Sequence, residues 1–437
     1  MANIVTELSK YIFIVLIAFY ALHGFIAFKY IFKDGGEGLL IFQNIYMILI
    51  HSLGYFVLFL QYKSKAIMYL YIFEEIIILS TLLICRFVYS DANMLLINNM
   101  CMLLSISFII LCRISYNKCL KQFEIVTISL VLFMIIPKFV RLLKTVDYLE
   151  WISALTGLSL LLIVLILGSV TNGSKLSFSV AGITFQPSEF VKIFFVIFVA
   201  RMLSKSREIK NIVLTSIIAA GHILVLVASK DLGGALILSV VYICMLYVAT
   251  GGLGYLLGGI GAGAIATFIG YKMFSHVRVR FSAWSDPWAD IDGKGYQITQ
   301  SLFAIGTGSW LGMGLTQGSP EKIPVVDADF VFAAISEELG CFFSVCLVLI
   351  CISTFMNIMV VAMRCKDLMY KLLCVGLGVV YGFQMFLTIG GVTKFIPLTG
   401  VTLPLVSYGG TSVLSTLVIF GIVQGVYTIR GNVNASK

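Results

Sequence analysis

Long apolar runs constrain the fold of this chain more than any other feature of its sequence. A transmembrane helix needs about 20 predominantly apolar residues to cross the hydrocarbon core of a bilayer. About thirteen stretches approach or exceed that length, near residues 11–32, 39–61, 66–89, 94–113, 123–142, 149–169, 187–204, 210–229, 232–250, 253–272, 329–362, 368–390 and 406–429. They are long continuous runs, unlike the short alternating strands of a membrane barrel. The sequence therefore predicts an all-α polytopic integral membrane protein.

Composition excludes a soluble globular protein. The chain is 60% hydrophobic and only 12% charged, whereas soluble domains carry about 25% charged residues. Its net charge of +9 could suggest nucleic acid, but Lys and Arg lie mostly in short loops such as 205–210 and 364–371. That distribution is typical of cytoplasmic loops, so we expect membrane lipid and no nucleic acid as partner. The ten cysteines lie mainly inside apolar runs and are interpreted as packing residues.

The distribution of basic residues predicts the orientation in the membrane. We place four basic stretches in the cytoplasm, at 138–144, 201–210, 364–371 and the C-terminal 430–437. Alternation of the spans then puts three other segments outside, at 170–186, 272–327 and 391–405. The segment 272–327 is thereby predicted to be a large extracellular loop. One basic stretch, Arg113–Lys121, disagrees, because alternation also places it outside.

The polar motifs divide the chain unevenly. Residues 1–90 have few distinctive polar motifs, whereas residues 91–437 contain nearly all of them. We therefore predict an N-terminal transmembrane extension over 1–90, followed by a core over 91–437.

Ionisable residues inside membrane spans are costly and are functional candidates for that reason. In QPSEFVK (186–192), Glu189 and Lys192 are three residues apart and so share one helix face. This motif predicts either a helix start with a local ion pair or a charged pair lining a cavity. In SKDLGGA (229–235), Asp231 lies at a tight turn between two spans, as a solvated turn residue or as part of a site.

The polar segment 272–327 holds several candidates. Arg278 and Arg280 alternate as two residues on one side of an extended strand would, and Arg suits phosphate oxygens, although interfacial basic residues give the same pattern. Asp286, Asp290 and Asp292 could hold a divalent cation, or one carboxylate could act as a general base.

Two further segments hold candidates: one contains acidic residues, and the other contains Pro and Gly residues that interrupt a helix. Asp329 and Glu337 are eight residues apart, close to two helical turns, which predicts that they share one face. The Pro- and Gly-rich stretch 390–412 contains Lys394 and predicts non-helical backbone that lines a cavity. Lys394 could meet an anionic headgroup or simply reach the membrane surface. These features together favour an amphiphilic, phosphorylated substrate.

Four motifs occur in one order: QPSEFVK (186–192), KDLGGA (230–235), the block from RFSAWSDPWADIDGKGYQ to DFVFAAISEELG (280–340), and KFIPLTGVTLPLVSYGGTS (394–412). This pattern resembles the SEDS family, the RodA, FtsW and SpoVE proteins of cell elongation, division and sporulation. The resemblance covers roughly residues 92–430. It implies a ten-helix core, to which this chain adds about three N-terminal helices.

The resemblance also implies an activity. Family members polymerise lipid II into glycan strands outside the bacterial plasma membrane, with a class B penicillin-binding protein as partner. The family's essential loop aspartate matches Asp290, and its Glu/Lys pair, external Asp and loop Arg match Glu189, Lys192, Asp231 and Arg280. Residues of second rank are Arg278, Gln297, Asp329, Glu337 and Ser407. The chain departs from the family at NGSKLS (172–177), which keeps Lys175 but lacks the tryptophan, and at Thr388 in place of an asparagine.

The resulting hypothesis is a peptidoglycan glycosyltransferase with its C-terminus in the cytoplasm. Asp290 would deprotonate the 4-hydroxyl of the acceptor sugar, or hold a divalent cation (Mg²⁺ or Mn²⁺) that orients it. Arg280, Lys192 and Lys394 would stabilise the departing polyprenyl diphosphate. No organic cofactor is expected. The alternative is a flippase for lipid II, and an ion-coupled transporter is weaker, because the two halves show no inverted repeat.

Overall fold

The structure is a computed structural model that describes residues 2–31, 35–89, 92–171, 174–180 and 183–435. Helices account for most of this part of the chain. They are α1 (Ala2–Ala27), α2 (Glu37–Tyr62), α3 (Lys65–Val88), α4 (Met94–Ile114), α5 (Tyr116–Phe139), α6 (Leu142–Thr145), α7 (Leu149–Leu167), α8 (Pro187–Lys205), α9 (Ile209–Ala228), α10 (Leu232–Thr250), α11 (Leu253–Met273), α12 (Ser275–Ser285), α13 (Tyr296–Gly308), α14 (Val331–Arg364), α15 (Leu368–Val392) and α16 (Gly410–Ala435). Short 3₁₀ turns occupy Phe28–Tyr30, Pro287–Asp290 and Pro320–Lys322.

The membrane-spanning helices confirm the predicted all-α polytopic fold. Within the described residues, 12 helices are long and apolar enough to cross a membrane. The remaining predicted span is α8, a helix of 19 residues. Its charged side chains, including Glu189, Lys192 and Arg201, make it less apolar than the other spanning helices. Helices α4, α5, α7–α11 and α14–α16 correspond to the expected ten-helix core, and α1–α3 precede it.

The described chain forms two compact units, and each unit is assembled from segments that are not consecutive in the sequence. The first comprises residues 1–130, 279–357 and 385–409. Its centre is α4, whose apolar stretch is completely buried. Helices α1, α2 and α3 belong to this unit, and α2 and α3 both pack on α4.

Buried polar side chains join the helices of the first unit. The hydroxyl of Tyr20 donates to Asn99 Oδ1 at 3.2 Å, and Asn99 Nδ2 donates to Ser353 Oγ at 3.1 Å. The amide of Asn98 donates to Gln43 Oε1 at 3.3 Å. Such bonds are common where membrane helices associate, because an unpaired polar group in hydrocarbon is costly. They attach α1 and α2 to α4 and α14.

The second unit comprises residues 131–278, 358–384 and 410–437. In it α7 packs on α8 and α9, and α8 also contacts α10 and α16. Helix α8 is therefore the central element, and most of its side chains are buried. Helix α11 is the opposite case, because none of its apolar stretch is buried within the structure.

A small antiparallel sheet lies between α7 and α8, in the segment that the sequence predicted only as an external loop. Its strands are β1 (Ser169–Thr171), β2 (Ser174–Val180) and β3 (Ile183–Phe185), in the order β1-β2-β3. Val170 pairs with Lys175, and Phe178 pairs with Phe185. These short strands are an addition to a helical fold.

The segment 272–327, predicted as a long loop between spans, contains two helices, and the extended strand expected around Arg278 and Arg280 was wrong. Helix α12 covers Ser275–Ser285 and α13 covers Tyr296–Gly308, with the 3₁₀ turn Pro287–Asp290 between them. Arg278 and Arg280 therefore do not lie on one side of a strand, since residues two apart on a helix are about 200° apart around its axis. The alternation VRVR is too short to distinguish a strand from a helix.

Helix α14 is broken at Gly340, where φ is 87° and ψ is 169°. The backbone of the glycine-rich run 306–318 packs into this break: Gly314 N donates to the carbonyl of Glu338 at 2.8 Å, and Cys341 N donates to that of Ser309 at 2.9 Å. A Cβ on Gly340 would lie 2.3 Å from the nitrogen of Gly312. The glycine-rich run thus supplies the hydrogen bonds that α14 loses where it breaks.

Candidate active site

Glu189 and Lys192 lie in the first turns of α8 and form the ion pair that their spacing predicts. Pro187 occupies the first helical position, where its missing N–H costs nothing. Lys192 Nζ lies 2.8 Å from Glu189 Oε1. Both residues are buried, at 7% and 4% exposure. A buried charge requires such a partner, because hydrocarbon solvates ions poorly.

Other polar groups of the second unit extend this pair. Lys192 Nζ also donates to Gln384 Oε1 of α15 at 2.7 Å, and Ser415 Oγ of α16 donates to Glu189 Oε2 at 3.0 Å. The amide of Gln384 in turn donates to Ser412 Oγ at 3.4 Å. The arrangement is therefore a buried hydrogen-bond network across three helices. It extends beyond a local ion pair at a helix start, which was one of the two alternatives that the sequence left open.

Asp231 belongs to the same unit and caps α10. Its Oδ1 accepts from the N–H of Gly234 at 2.8 Å. Burial raises the pKa of the Asp231 carboxyl above its ordinary value, although the Gly234 N–H and the Lys192 ammonium act in the opposite direction. Because Lys192 and Glu189 both act on this carboxyl, the structure brings three predicted site residues of the second unit together.

Arg280 and Asp329 converge in the first unit. Arg280 Nη1 donates to the carbonyl of Thr399 at 3.0 Å. A Cβ placed on Gly400 would lie 3.6 Å from Asp329 Oδ2 and 3.9 Å from Arg280 Nη2, so both side chains end at this glycine. Burial raises the pKa of Asp329 to about 6, with Arg280 opposing and Asp327 reinforcing the rise. An arginine and a carboxyl whose pKa is raised to about 6 therefore share one location.

The stretch 390–412 is held in place by hydrogen bonds to its backbone. Trp284 Nε1 donates to the carbonyl of Lys394 at 3.1 Å, and Lys394 itself has a left-handed φ of 59°. Ser407 is buried, and its hydroxyl donates to the carbonyl of Ala328 and accepts from the N–H of Leu403. Ser407 therefore supports the loop, whereas Lys394 is half-buried and its backbone carbonyl meets Trp284 at the end of α12.

Asp290 is exposed at the end of the 3₁₀ turn between α12 and α13. Its Oδ2 accepts from the N–H of Lys294 at 3.1 Å. A Cβ on Gly293 would lie 2.4 Å from Asp290 Oδ1, which explains a glycine at that position. The neighbouring Asp286 caps the same turn by accepting from Trp288 N at 3.1 Å. The carboxylate of Asp290 is therefore oriented by its own turn and open to solvent.

The other second-rank residues lie elsewhere. Arg278 is exposed on α12, and Gln297 is half-buried in the first turn of α13. Asp329 precedes α14, which begins at Val331, so the prediction that it shares a helix face with Glu337 was wrong. Glu337 Oε1 instead accepts from Ser319 N at 3.1 Å.

Sequence reasoning missed two ion pairs of the first unit. Arg113 Nε lies 2.9 Å from Glu338 Oε1, and Lys118 Nζ lies 2.9 Å from Asp327 Oδ2. Both cations come from the basic stretch that disagreed with the predicted orientation. Because acidic partners balance part of its charge, that stretch carries less net positive charge than a count of Lys and Arg suggests. The conflict between this basic stretch and the predicted orientation was the sequence feature that could have pointed to these two ion pairs.

Comparison with known proteins agrees with the motifs. The model of the cell cycle protein family FtsW/RodA/SpoVE matches residues 86–431. The peptidoglycan glycosyltransferase RodA of Mycobacterium tuberculosis (strain ATCC 25618 / H37Rv) is 35% identical over 273 residues, which are 58% of this chain and 58% of the relative. The stage V sporulation protein E of Bacillus subtilis (strain 168) is 34% identical over 302 residues, 65% of this chain and 81% of that protein. The chain thus spans about six tenths of the mycobacterial relatives that it matches.

Solved structures show the same fold. A chain from a structure described as a peptidoglycan synthase complex that coordinates polymerization and crosslinking aligns with a TM-score of 0.63 and 24% identity, over 77% of this chain and 97% of that chain. The rod shape determining protein RodA of Thermus thermophilus aligns with a TM-score of 0.58 and 23% identity, over 76% and 95%. The family model covers most of the sequence, and the predicted family is confirmed. The chain is a multi-pass membrane protein that belongs to the FtsW/RodA/SpoVE family of cell cycle proteins.

Proposed function

We propose that this protein is a peptidoglycan glycosyltransferase that polymerises glycan from lipid II on the outer face of the bacterial plasma membrane. The observation that carries the proposal is Asp290: a solvent-open carboxylate, oriented by a glycine turn, at the position that matches the family's loop aspartate. Relatives of similar sequence are named peptidoglycan glycosyltransferases.

The proposed reaction begins at Asp290. Its carboxylate accepts the proton of the acceptor sugar's 4-hydroxyl as that oxygen attacks the anomeric carbon of the donor. The bond from this carbon to the diphosphate oxygen breaks, and the polyprenyl diphosphate leaves with the bonding electrons. General base catalysis of this kind typically contributes about 10²–10⁴-fold to the rate.

Cationic groups would bind the diphosphate. Arg280 is anchored to Thr399 by one guanidinium nitrogen, and its planar fork suits phosphate oxygens. Lys192 is held by Glu189 and Gln384, so little reorganisation is needed when it meets an anion. Lys394 is assigned the same role, and Asp329 would position Arg280. Glu189 and Asp231 would hold Lys192 and the polar groups of the substrate.

A divalent cation is part of this proposal. Among the described residues, no group of three or more His, Cys, Asp or Glu side chains is arranged to hold a metal. Mg²⁺ is commonly held by one or two carboxylates together with substrate phosphates and water. The single open carboxylate of Asp290 fits that mode. Bound there, the cation would neutralise charge on the diphosphate.

Two further proposals concern how the chain is divided and which protein is its partner. We propose that residues 91–437 form the catalytic core, that residues 1–90 are an added transmembrane extension, and that the C-terminus is cytoplasmic. A class B penicillin-binding protein is the proposed partner, because a structural neighbour comes from a complex that couples polymerization to crosslinking.

Purified full-length protein in detergent, supplied with lipid II, tests the activity. Wild-type protein is expected to form glycan polymer without a membrane to transport across, a result that a pure flippase cannot give. Asp290→Asn is expected to slow polymerisation by about 10²-fold or more. The matched control is Asp292→Asn, two residues further along and also exposed, which should retain activity. Equal activity of Asp290→Asn and wild type would overturn the assignment of Asp290, and absence of polymer from wild-type protein would favour the flippase.

A further inference from the structure

A cluster of ionisable side chains lies among the N-terminal helices, separate from the candidate active site. His51 of α2 and Glu74 of α3 are fully buried, with Nε2 of His51 3.2 Å from Glu74 Oε2. On the other side of the ring, His51 Nδ1 lies 3.8 Å from Glu75 Oε2, and the Glu75 side chain is 13% exposed. One imidazole thus lies between two carboxyl groups.

The cluster lies well inside the membrane-spanning helices. His51 is eleven residues from the end of α2 and Glu74 is nine residues from the start of α3. At 1.5 Å per residue, these positions are roughly 16 Å and 14 Å along the helix axes. Ionisable residues at such positions are rare, and they typically mark ion pathways or proton relays.

The surroundings connect the cluster to α5. Cys119 Sγ donates to Glu74 Oε1 at 3.5 Å, and the hydroxyl of Tyr55 lies 3.8 Å from the same sulfur. The rings of Tyr55 and Tyr71 pack against His51, with centroids 5.1 Å and 5.6 Å away. Cys112 of α4 neighbours Cys119. The titratable groups that face the cluster are therefore two tyrosines and two cysteines, with no Lys or Arg in contact among the described residues.

Hydrogen bonding around His51 is incomplete. Within the described structure, His51 Nδ1 and both oxygens of Glu75 are buried atoms without a hydrogen-bond partner. A purely structural pair would need only His51 and Glu74. With both carboxyls ionised and a neutral imidazole, the cluster would bury two net negative charges, which is strongly unfavourable in hydrocarbon. A proton taken up by the cluster reduces this to one, and a proton between Glu75 and Nδ1 would pair Nδ1 with one of the Glu75 oxygens.

We propose that Glu75, His51 and Glu74 form an intramembrane proton-binding relay. In one arrangement Glu75 holds a proton, neutral His51 is protonated on Nε2, and Glu74 is ionised. Transfer breaks the Glu75 O–H bond as the His51 Nδ1–H bond forms, and breaks the Nε2–H bond as the Glu74 O–H bond forms. One proton crosses the ring, the total charge is unchanged, and no oxidant or reductant takes part.

Infrared titration of the full-length protein in lipid nanodiscs, with ¹³C-labelled glutamate, tests the relay without lipid II. The wild type is expected to show a protonated glutamate carboxyl at neutral pH that disappears at alkaline pH. Glu75→Gln and Glu74→Gln should each remove or shift this band. Glu124→Gln, an exposed position on α5, is the control and should leave it unchanged.

A second measurement keeps the test valid where a glutamine variant folds poorly. The chain has only 4 histidines, so ¹⁵N-histidine NMR of the wild type can follow the ring nitrogens of His51, assigned by comparison with His51→Gln. The relay requires that the distribution of the ring proton between Nδ1 and Nε2 change in the same pH step as the carboxyl. Three results would each overturn the proposal. The wild type could show no protonated glutamate at any pH above 5, or the band could survive both Glu74→Gln and Glu75→Gln. The third such result is a set of His51 nitrogen signals that do not change with the carboxyl. None of these results depends on the glycosyltransferase activity.

Discussion

Arg113 and Glu338 form a buried ion pair between α4 and α14, although 225 residues separate them in the sequence. Arg113 Nε lies 2.9 Å from Glu338 Oε1, and the Glu338 side chain is 1% exposed. Arg113 also donates to Tyr62 Oη and to the carbonyl of Gly318, each at 3.2 Å. Thr316 N donates to the other oxygen of Glu338 at 3.1 Å. The pair therefore joins four segments of the first unit: α2, α4, the glycine-rich run and α14.

Arg113→Met is expected to destabilise the protein by about 3–5 kcal/mol, because it leaves the buried Glu338 charge without a partner. The double variant Arg113→Met/Glu338→Met should lose less, since no uncompensated charge remains. Thermal unfolding of the purified protein in detergent measures both. The control is Lys118→Met, which breaks the more exposed pair with Asp327 (Lys118 side chain 44% exposed) and should cost about 1 kcal/mol or less. A double variant less stable than Arg113→Met would contradict this interpretation.

Gly340→Ala is expected to prevent α14 from packing against the glycine-rich run. The φ of Gly340 is 87°, and a Cβ would approach the nitrogen of Gly312 to 2.3 Å. Strain of this kind costs about 1–3 kcal/mol for the backbone alone, and the steric overlap adds to it. Gly306→Ala, in α13, is the matched control, because its Cβ would meet no atom within 4 Å and alanine favours a helix. Unfolding temperatures of the two variants provide the measurement, and a Gly340→Ala protein as stable as wild type would refute the packing argument.

Asp329 is expected to make stability depend on pH between about 4 and 6. Its pKa in the folded protein is raised to about 6, against about 3.9 in an unfolded chain. The folded state therefore binds more protons in this window, so the contribution of Asp329 to stability is greatest below pH 4 and is lost as pH rises through 6. The loss is at most about 3 kcal/mol. Asp329→Asn should remove this dependence, whereas Asp292→Asn should retain it.

Unfolding temperatures measured from pH 4.5 to 7.5 test the sign. The wild type should lose stability relative to Asp329→Asn as pH rises. A wild type that gains stability relative to the variant over this range would show that Arg280 controls the charge of Asp329 more strongly than burial does.

Local sequence patterns predicted much of the fold and part of the candidate site. Apolar runs longer than about 18 residues located the spanning helices, because hydrocarbon thickness sets their length. The spacing of Glu189 and Lys192 predicted their ion pair, because residues three apart meet on a helix. The alternation of apolar and basic residues around Arg278 and Arg280 led to a wrong prediction. A few residues of period two do not determine a strand, and this segment forms a helix. The break at Gly340 was not predicted, because the apolar run continues through it.

By itself, the sequence determined the membrane class, the number and approximate ends of the spanning helices, the family, and the residue types available for chemistry. Those properties depend on local hydropathy, on spacing along one helix and on ordered motifs. Only the tertiary structure decided the distant partners of the buried charges: Arg113 pairs with Glu338, Lys192 also donates to Gln384, and Arg280 lies beside Asp329. The physical reason is that a buried charge takes whichever partner the packing of helices brings within hydrogen-bond distance, and in this chain those partners lie tens to hundreds of residues away.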